Sequence, residues 1–513
     1  MTTLQPCLPR PGHQSFWHLE SALTDGWRRA RALGVPVLVS RSERVPAIDP
    51  LHAFAGAAGR GLRRVFWEHK DRETGHRLAL AGIGAAYTLL SEPENPFAAA
   101  AAEWRSLCAT ALIDAPDPGL GVGPILLGGF RFDRYVPPTA LWAGFPNSSL
   151  VLPILTVTSV DGEHWLTTSL MVGPETDTAR LAADTHALRE HVFQGAARYA
   201  GEIYSVDARP ATMVAPSLPA DHSRRPRPTL LHDALPDTEW ERLVGEAARD
   251  IRQGNLAKVV LAREVALTRP GCPFDPGAVL ARLRATFPDA CLFAVAPADG
   301  AAGNPVFLGA SPERLVSLAG GVVATSCLAG SIGRGTTAAE DDALGARLLG
   351  SAKDQVEHSL VARMLREQLG PLCDSLEIGE TPELVRLANV QHLHTPIHGA
   401  LRARSDGTVP CILDLVATLH PTPAVGGYPR HAALDLIRRR ERLDRGWYAG
   451  PLGWLDRHGE GEFAVAIRSA LLRGSEARLF AGCGIVGDSD PHSEYLESRL
   501  KLRAMLGALT GSA

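Results

Sequence analysis

The sequence predicts an α+β fold built around large, mostly antiparallel sheets, and two observations carry this prediction. Strand-like runs follow one another directly in the chain, as in CLFAVAP, VFLGASPERLVSL and GVVATSCLAG. Strands in such consecutive runs pair antiparallel, whereas a βαβ series would place a helix after each strand. Helical patterns, with apolar residues at i, i+3 and i+4, separate the groups of strands.

The elements follow this pattern through both halves of the chain. The N-terminal half contains the strand-like runs VPVLVS, RRVFWEH, RLALAGIG, PILLGGFRFD, LVLPILTVTSV and HWLTTSLMV, with helical patterns at 96–108 and 178–200. The C-terminal half opens with a helix at 237–252, continues with the strand KVVLAREVAL and a helix at 276–286, and ends with a helix at 491–509.

A proline-rich segment divides the chain. Residues 206–230 contain five prolines, a density that excludes a regular helix or a central strand. This segment predicts an extended connection between an N-terminal part, residues 1–205, and a C-terminal part, residues 231–513. The sequence alone therefore favours two domains.

Composition excludes several classes of function. The chain has 513 residues, 45% hydrophobic and 21% charged, with a formal net charge of −4. Nucleic-acid and membrane-surface partners favour basic patches, so neither is expected. The eight cysteines form no CxxC pair, which disfavours a zinc knuckle and fits a reducing compartment. With neither a signal pattern nor a long apolar run, we expect a cytoplasmic protein.

Two helical patterns each carry a pair of acids on one face. Asp354 and Glu357 lie three residues apart in SAKDQVEH, and Glu494 and Glu497 have the same spacing in EYLESRLK. Facing each other, the two helices would form a carboxylate-rich site for a hard cation such as Mg²⁺. The alternative is two solvated helix faces.

Two further motifs resemble cofactor or metal sites. GCGIVG matches the dinucleotide pattern G-x-G-x-x-G, but the chain ends before the second strand that a βαβ unit needs. We therefore reject a nicotinamide site and expect glycines that permit close approach of a small ligand. His392, His394 and His398 in QHLHTPIHG could bind zinc, but no nearby acid or cysteine completes a set, so structural histidines are favoured.

Two ionisable residues adjoin strand-like runs. Glu313 follows Ser311 and Pro312 at a break between two runs, where it is either solvated or a general acid facing a cavity. Lys258 begins the apolar run KVVLAR. It either lies at a strand edge and extends to water, or is a base neutral enough to deprotonate water.

Together these motifs resemble the chorismate-utilising enzymes, which include isochorismate, salicylate, anthranilate and aminodeoxychorismate synthases. The resemblance rests on LAKVVLAR, LGASPERL, LAGSIGRG, SAKDQVEH, VQHLHTPIHG, LHPTPAVGG, GWYAGPLGW, AVAIRSA, AGCGIVGDSDP and EYLESRLK, which occur in family order. It covers at least 237–509, and RRVFWEH, LALAGIGAA and LLGGFRFD extend it to menaquinone-type isochorismate synthases. It implies the anthranilate synthase-like fold, in which both halves form one sandwich of two large antiparallel sheets with flanking helices.

The resemblance also implies roles. It assigns Mg²⁺ to Glu357 and Glu497, with Asp354 and Glu494 as partners through water. Lys258 is the base that activates water in the family members that use water, and Glu313 is the acid that helps the C4 hydroxyl of chorismate to leave. The remaining positions correspond to contacts with the carboxylates or ring of chorismate: Ser331, His392, Arg468, Gly482, Gly484 and Lys501.

These correspondences imply a magnesium-dependent isochorismate synthase, most similar to the menaquinone type. Salicylate synthase is the alternative; its members usually have threonine where this chain has Ala424, whereas Tyr448 fits both types. Lys258 disfavours an anthranilate-type enzyme, and a catalytically silent chorismate-binding protein is the alternative outside enzymes. Chorismate is the only expected partner, with a monomer as the working expectation.

Overall fold

A computed structural model describes residues 19–90, 95–115, 121–204, 229–233, 235–254, 256–298, 304–386 and 390–511. The proline-rich connection predicted at 206–230 lies almost entirely outside these ranges. The α-helices of the described residues are α1 Leu19–Leu33, α2 Pro50–Gly56, α3 Pro96–Thr110, α4 Thr178–Tyr204, α5 Asp237–Arg252, α6 Pro276–Thr286, α7 Ala338–Leu349, α8 Ala352–Leu369, α9 Ile412–Leu419, α10 Arg430–Arg440 and α11 Pro491–Thr510.

The strands before the connection are β1 Val37–Arg44, β2 Arg64–Lys70, β3 Arg77–Ile83, β4 Tyr87–Leu89, β5 Leu112–Asp114, β6 Ile125–Phe130, β7 Ser148–Leu152, β8 Leu155–Val160 and β9 Glu163–Val172. The strands after it are β10 Thr229–Asp233, β11 Lys258–Thr268, β12 Cys291–Ala296, β13 Val306–Ser311, β14 Arg314–Ala319, β15 Val322–Gly333, β16 Cys373–Ile378, β17 Glu383–Arg386, β18 Val390–Leu401, β19 Gly427–Tyr428, β20 Pro451–Asp456, β21 Gly461–Val465, β22 Ser469–Arg473 and β23 Glu476–Ile485.

These strands form two large sheets, which confirms the predicted fold class. The first has 13 strands in the order β10-β11-β23-β22-β13-β12-β2-β3-β8-β9-β1-β5, with β19 also paired to β11. The second has 10 strands in the order β16-β18-β15-β14-β21-β20-β6-β7-β4, with β17 paired to β18. Within the described ranges the pairs are antiparallel except β1 with β5.

Both halves of the chain contribute strands to both sheets. In the first sheet β2 pairs with β12, and in the second β6 pairs with β20. The core between the sheets is continuous, with Trp67, Phe293 and Phe307 from the first sheet and Trp454 and Phe463 from the second. We therefore describe the two halves as one sandwich with a shared core rather than as two domains with separate cores.

Helices cover the outer face of the first sheet. Leu280 and Leu283 of α6 and Leu502 and Leu509 of α11 are buried in a second core against this face. Such burial of an apolar helix face is what holds a helix on a sheet. Within the described residues, no helix has both the length and the apolar character that crossing a membrane requires.

Local capping fixes the starts of the two acidic helices. The Ser351 side chain accepts a hydrogen bond from the Asp354 backbone at the start of α8, and Asp490 accepts one from Ser493 at the start of α11. These caps satisfy backbone N–H groups that have no partner inside the helix. As a result, the first turns of α8 and α11 place their acids at defined positions beside the sheets.

Candidate active site

One cavity of about 320 Å³ lies among β11, β15, β18, β23, α8 and α11, and its size suits a small organic ligand. Every residue that the sequence proposed for the site lines this cavity: Lys258, Glu313, Ser331, Asp354, Glu357, His392, Ala424, Tyr448, Arg468, Gly482, Gly484, Glu494, Glu497 and Lys501. The structure thus brings these residues together, while their individual roles stay predictions.

Lys258 begins β11 and points into the cavity rather than out to bulk water. The residue is only 8% exposed, and its Nζ donates to Glu357 Oε1 over 2.5 Å. Its stem crosses the face of β23 at Gly484, where an added Cβ would lie 2.8 Å from Lys258 Cε. The structure therefore disfavours the strand-edge interpretation, and the glycine provides the space that the lysine needs.

Glu313 lies in the short turn between β13 and β14, with one side facing the cavity. Ser311 holds this turn, since its hydroxyl donates to Val465 O over 2.6 Å and accepts from the Glu313 backbone. Burial raises the pKa of Glu313 to about 7, and this effect exceeds the opposing influence of the Thr422 hydroxyl and of the charge on Lys258. A carboxyl group in this state is still partly protonated at neutral pH and can donate a proton.

The acidic pairs of α8 and α11 both reach the cavity. Glu357 is paired with Lys258, while Glu497 accepts from Lys501 Nζ over 2.7 Å. Burial raises the pKa of Glu497, but the charge and hydrogen bond of Lys501, together with the charges of Arg468 and Lys258, hold that pKa below its usual value. Ser489 donates to Glu494 over 2.8 Å. These side chains offer the carboxylate oxygens that Mg²⁺ prefers, so the donor set fits this ion.

Cationic groups line the neighbouring wall. Lys501 also donates to the backbone oxygen of Gly482 over 2.9 Å, which fixes its ammonium group at the edge of β23. Among the described residues, no side chain forms a hydrogen bond or ion pair with the guanidinium of Arg468. A cation enclosed in this way favours an anionic ligand, and arginine can bind a carboxylate through two hydrogen bonds.

His392 is held neutral beside these cations. Burial, and after it the charge of Arg468, lowers the pKa of His392 to about 4. Its Nδ1 lies 2.9 Å from the Ser331 hydroxyl and 3.3 Å from Gly330 O. Ser331 and His392 therefore form a neutral hydrogen-bonding pair on the cavity wall, suited to a hydroxyl or carboxylate of a ligand.

Backbone strain is concentrated at this wall. Ala449 and Arg468 have φ angles of 61° and 51°, a region that residues with a side chain seldom adopt. The surrounding backbone holds both conformations, since Ala449 donates to Ala466 O and Arg468 O accepts from Ala310. Strained residues of this kind cluster at ligand sites, where they aim side chains that a relaxed backbone could not.

Ala424 and Tyr448 form another part of the cavity wall. The Tyr448 ring stacks on Phe480, with the ring centroids 5.1 Å apart. Ala424 follows Thr422 in the turn that leads to β19, so the turn that touches Glu313 also supplies part of the wall. The small alanine side chain leaves open the volume that a threonine would fill.

The glycine motif begins within β23 and the histidine motif lies in β18. Gly482 and Gly484 lie inside β23, which is antiparallel to both of its neighbours, β11 and β22. This geometry differs from the parallel βαβ unit of a dinucleotide site. Of the three histidines on β18, His392 alone lines the cavity, whereas His398 lies 3.2 Å from Glu73.

Sequence reasoning missed Arg445, which also lines the cavity. The available signal was the spacing of Glu441 and Arg445, four residues apart, which predicts an ion pair at a helix end. Phe480 and Ser489 were missed as well, because single apolar or hydroxyl residues carry no distinctive pattern.

A cavity lined by a buried acid, a lysine, two pairs of carboxylates and the cations Arg468 and Lys501 has the features of an enzyme site for a small anion. Residues 25–510 match the family described as "Chorismate binding enzyme". The chain is 42% identical to the salicylate biosynthesis isochorismate synthase of Pseudomonas aeruginosa, covering 94% of this chain and 92% of that protein. It is 35% identical to isochorismate synthase MenF of Bacillus subtilis, covering 94% and 96% of the two chains.

Solved structures show the same architecture. The structure of the menaquinone-specific isochorismate synthase MenF of Escherichia coli matches this fold with a TM-score of 0.68 at 26% identity. The match covers 94% of this chain and 100% of the MenF chain. Anthranilate synthase component I of Streptococcus pneumoniae shares the fold. Its TM-score is 0.58 at 20% identity, and the match covers 90% of this chain and 93% of that chain. The chain belongs to the chorismate-binding enzyme family.

Proposed function

We propose that the protein is an isochorismate synthase that uses Mg²⁺, adding water at C2 of chorismate and releasing the hydroxyl group at C4. The observation that carries the proposal is that Lys258 and Glu313 face one cavity, together with the two acidic helices. The names and identities of the two similar relatives support the same reaction.

Binding is assigned to the cationic wall. Chorismate carries two carboxylates, and Arg468 and Lys501 supply two positive charges where the cavity is enclosed. Ser331 and neutral His392 add hydrogen bonds without adding charge. A rigid set of this kind orients a small dianion. Because the orientation is already fixed on binding, the entropic part of the activation barrier is smaller.

Lys258 acts as the base. It takes a proton from water through the lone pair of its nitrogen, and the resulting hydroxide attacks C2. Glu357 accepts a hydrogen bond from this nitrogen over 2.5 Å, so in this arrangement the Lys258 nitrogen is held by the carboxylate rather than by a water molecule. Lys258 therefore serves as the base only when the Glu357 carboxylate is otherwise engaged.

Glu313 acts as the acid. Its proton passes to the C4 hydroxyl as the C4–O bond breaks and C2 gains the new C–O bond. Both ring double bonds shift in this step, from C1–C2 and C5–C6 to C1–C6 and C4–C5, and the hydroxyl leaves C4 as water. One water enters and one leaves, so the product is an isomer of the substrate. The raised pKa of Glu313 supplies the proton at neutral pH.

Glu357 and Glu497 would hold the magnesium ion, with Asp354 and Glu494 bound through water. The ion would supply positive charge that holds a substrate carboxylate. Magnesium binding is measured directly by titration calorimetry, in which Glu497→Gln should weaken Mg²⁺ binding at least about tenfold, because it removes an anionic ligand. Unchanged affinity would exclude Glu497 as a ligand.

Incubating the protein with chorismate and Mg²⁺, and resolving the products by chromatography, tests the reaction. Isochorismate is the expected product. Salicylate with pyruvate would indicate the alternative, salicylate synthase, which the small side chain of Ala424 disfavours. Anthranilate formed with ammonia would contradict the role of Lys258, and chorismate binding without any product would indicate a silent binding protein.

We propose menaquinone biosynthesis as the destination of the product, supported by the likeness to MenF proteins in both comparisons. The name of the relative at 42% identity favours a second destination, salicylate biosynthesis. Deleting the gene and measuring menaquinone and salicylate in the cells distinguishes the two. We further propose a cytoplasmic monomer with no nucleic-acid or membrane partner.

A further inference from the structure

A buried ion pair forms part of the cavity wall, where Arg445 lines the cavity. Glu441 caps the C-terminus of α10 and Arg445 follows four residues later, and their side chains are only 1% and 4% exposed. Arg445 Nε donates to Glu441 Oε1 over 2.6 Å, and its Nη2 donates to Oε2 of the same carboxylate. The guanidinium carbon lies 4.2 Å from the centre of the Phe132 ring, which packs against its face.

The pair completes an edge of β11 that no strand covers within the described part of the chain. β19 pairs with Lys258 and Val259, and β10 pairs with β11 only from Val265 onward. In the gap, Arg445 Nη2 donates to Val260 O over 2.7 Å, and Glu441 Oε2 accepts from Ala262 N over 2.8 Å. Buried backbone groups need partners of this kind, and here two charged side chains supply them.

Arg445 also holds the turn that carries Ala424. Its Nη1 donates to Val425 O over 2.8 Å, so one rigid guanidinium contacts both that turn and β11. Lys258 stands two residues before Val260 on β11, and Ala424 immediately precedes Val425. The charge of Arg445 is already matched by Glu441, so this arginine does not compete with Arg468 for an anionic ligand.

We propose that the Glu441–Arg445 pair is a positioning element that fixes Lys258 relative to the Ala424 turn, and so sets the geometry of water attack. This inference rests on the proposed function. Lysine cannot replace arginine here, because a single ammonium group lacks the planar fork that reaches Glu441, Val260 and Val425 together.

The test compares Arg445→Lys with a matched variant, Arg131→Lys. Arg131 is also a buried arginine with an acidic partner, Asp444, but it does not line the cavity. For each variant we would measure Tm, kcat and KM, with chorismate consumption as the readout. Glu441→Gln, which keeps the size of the side chain, provides a second variant if Arg445→Lys fails to fold.

Arg445→Lys should lower kcat on the order of a hundredfold, because misplacing a catalytic group by about 1 Å has that effect, while KM changes little. Arg131→Lys should lower Tm but leave kcat per folded molecule near the wild-type value. Equal kcat in both variants and the wild type would overturn the inference. A wild type that consumes chorismate but forms another product would contradict the proposed function alone, and a wild type without turnover would contradict both.

Discussion

At the residue scale, the proposed reaction depends on a carboxyl group, Glu313, that is still partly protonated near neutral pH. Glu313 is surrounded by positive charge from Lys258, Arg468 and Lys501, which would ordinarily favour its ionised form. Burial nevertheless dominates and raises the pKa to about 7. The burial of the Glu313 side chain therefore decides whether the site contains a protonated carboxyl group that can act as the general acid.

Glu313→Gln should reveal the stability cost of this arrangement. The pKa of Glu313 is about 7 in the folded protein against 4.5 normally, so the native state binds the proton more tightly and loses stability as pH rises through this range. Glutamine cannot ionise. In thermal melts the variant should therefore have the higher Tm at about pH 8, with the difference vanishing towards about pH 4. A difference independent of pH would contradict the raised pKa.

Removal of the base gives a second prediction. Lys258→Ala should lower kcat at least about a hundredfold, the usual contribution of a positioned base, while chorismate binding in the presence of Mg²⁺ persists. Turnover is followed by chromatography and binding by calorimetry. A variant with near wild-type turnover would show that another group activates the water.

At the element scale, β23 shapes the site through its glycines. Gly484→Ala would place a Cβ 2.8 Å from Lys258 Cε, so the flexible lysine has to move while the strand can accept alanine. We expect kcat to fall about tenfold or more with Tm little changed. Gly333→Ala is the matched control, since an added Cβ at that strand position meets nothing within 4 Å. Equal kinetics for the two variants would show that Gly484 does not set the lysine position.

The bounds of several helices could be predicted from the sequence, whereas the side-chain contacts between distant elements could not. The bounds of α5 and α6 agree with the predicted ranges, and α11 begins at Pro491 as predicted. The contact between Lys258 and Glu357 joins residues 99 positions apart and follows only from the packing of α8 on the sheets. The spacing of Glu441 and Arg445 does not reveal that Arg445 lines the cavity, because this placement depends on its hydrogen bonds to backbone oxygens of β11 and of a distant turn.

At the scale of the whole molecule, the two halves of the chain share both sheets and one core. The proline-rich connection suggested two domains, but β2 of the N-terminal half pairs with β12 of the C-terminal half. Such pairing between distant strands cannot be predicted from composition. The resemblance to a known family supplied this architecture, whereas periodicity alone gave only the strand-rich, antiparallel class. The same resemblance proposed the fourteen site residues that the structure brings to one cavity.

A shared core predicts that both halves unfold together. Phe293 is fully buried between the sheets, and Phe293→Ala should cost about 3–5 kcal/mol through the cavity that it leaves. Calorimetry should show one transition that moves to lower temperature as a unit. Two transitions, of which the variant shifts only one, would mean that the halves are separate domains.

Running the reaction in water labelled with heavy oxygen shows whether Lys258 activates a water that attacks C2. Mass spectrometry of the isochorismate should then show one labelled oxygen, located in the C2 hydroxyl, formed at a rate that Lys258→Ala reduces sharply. Unlabelled isochorismate would mean that the original hydroxyl moves from C4 to C2 within the substrate, and would contradict the account.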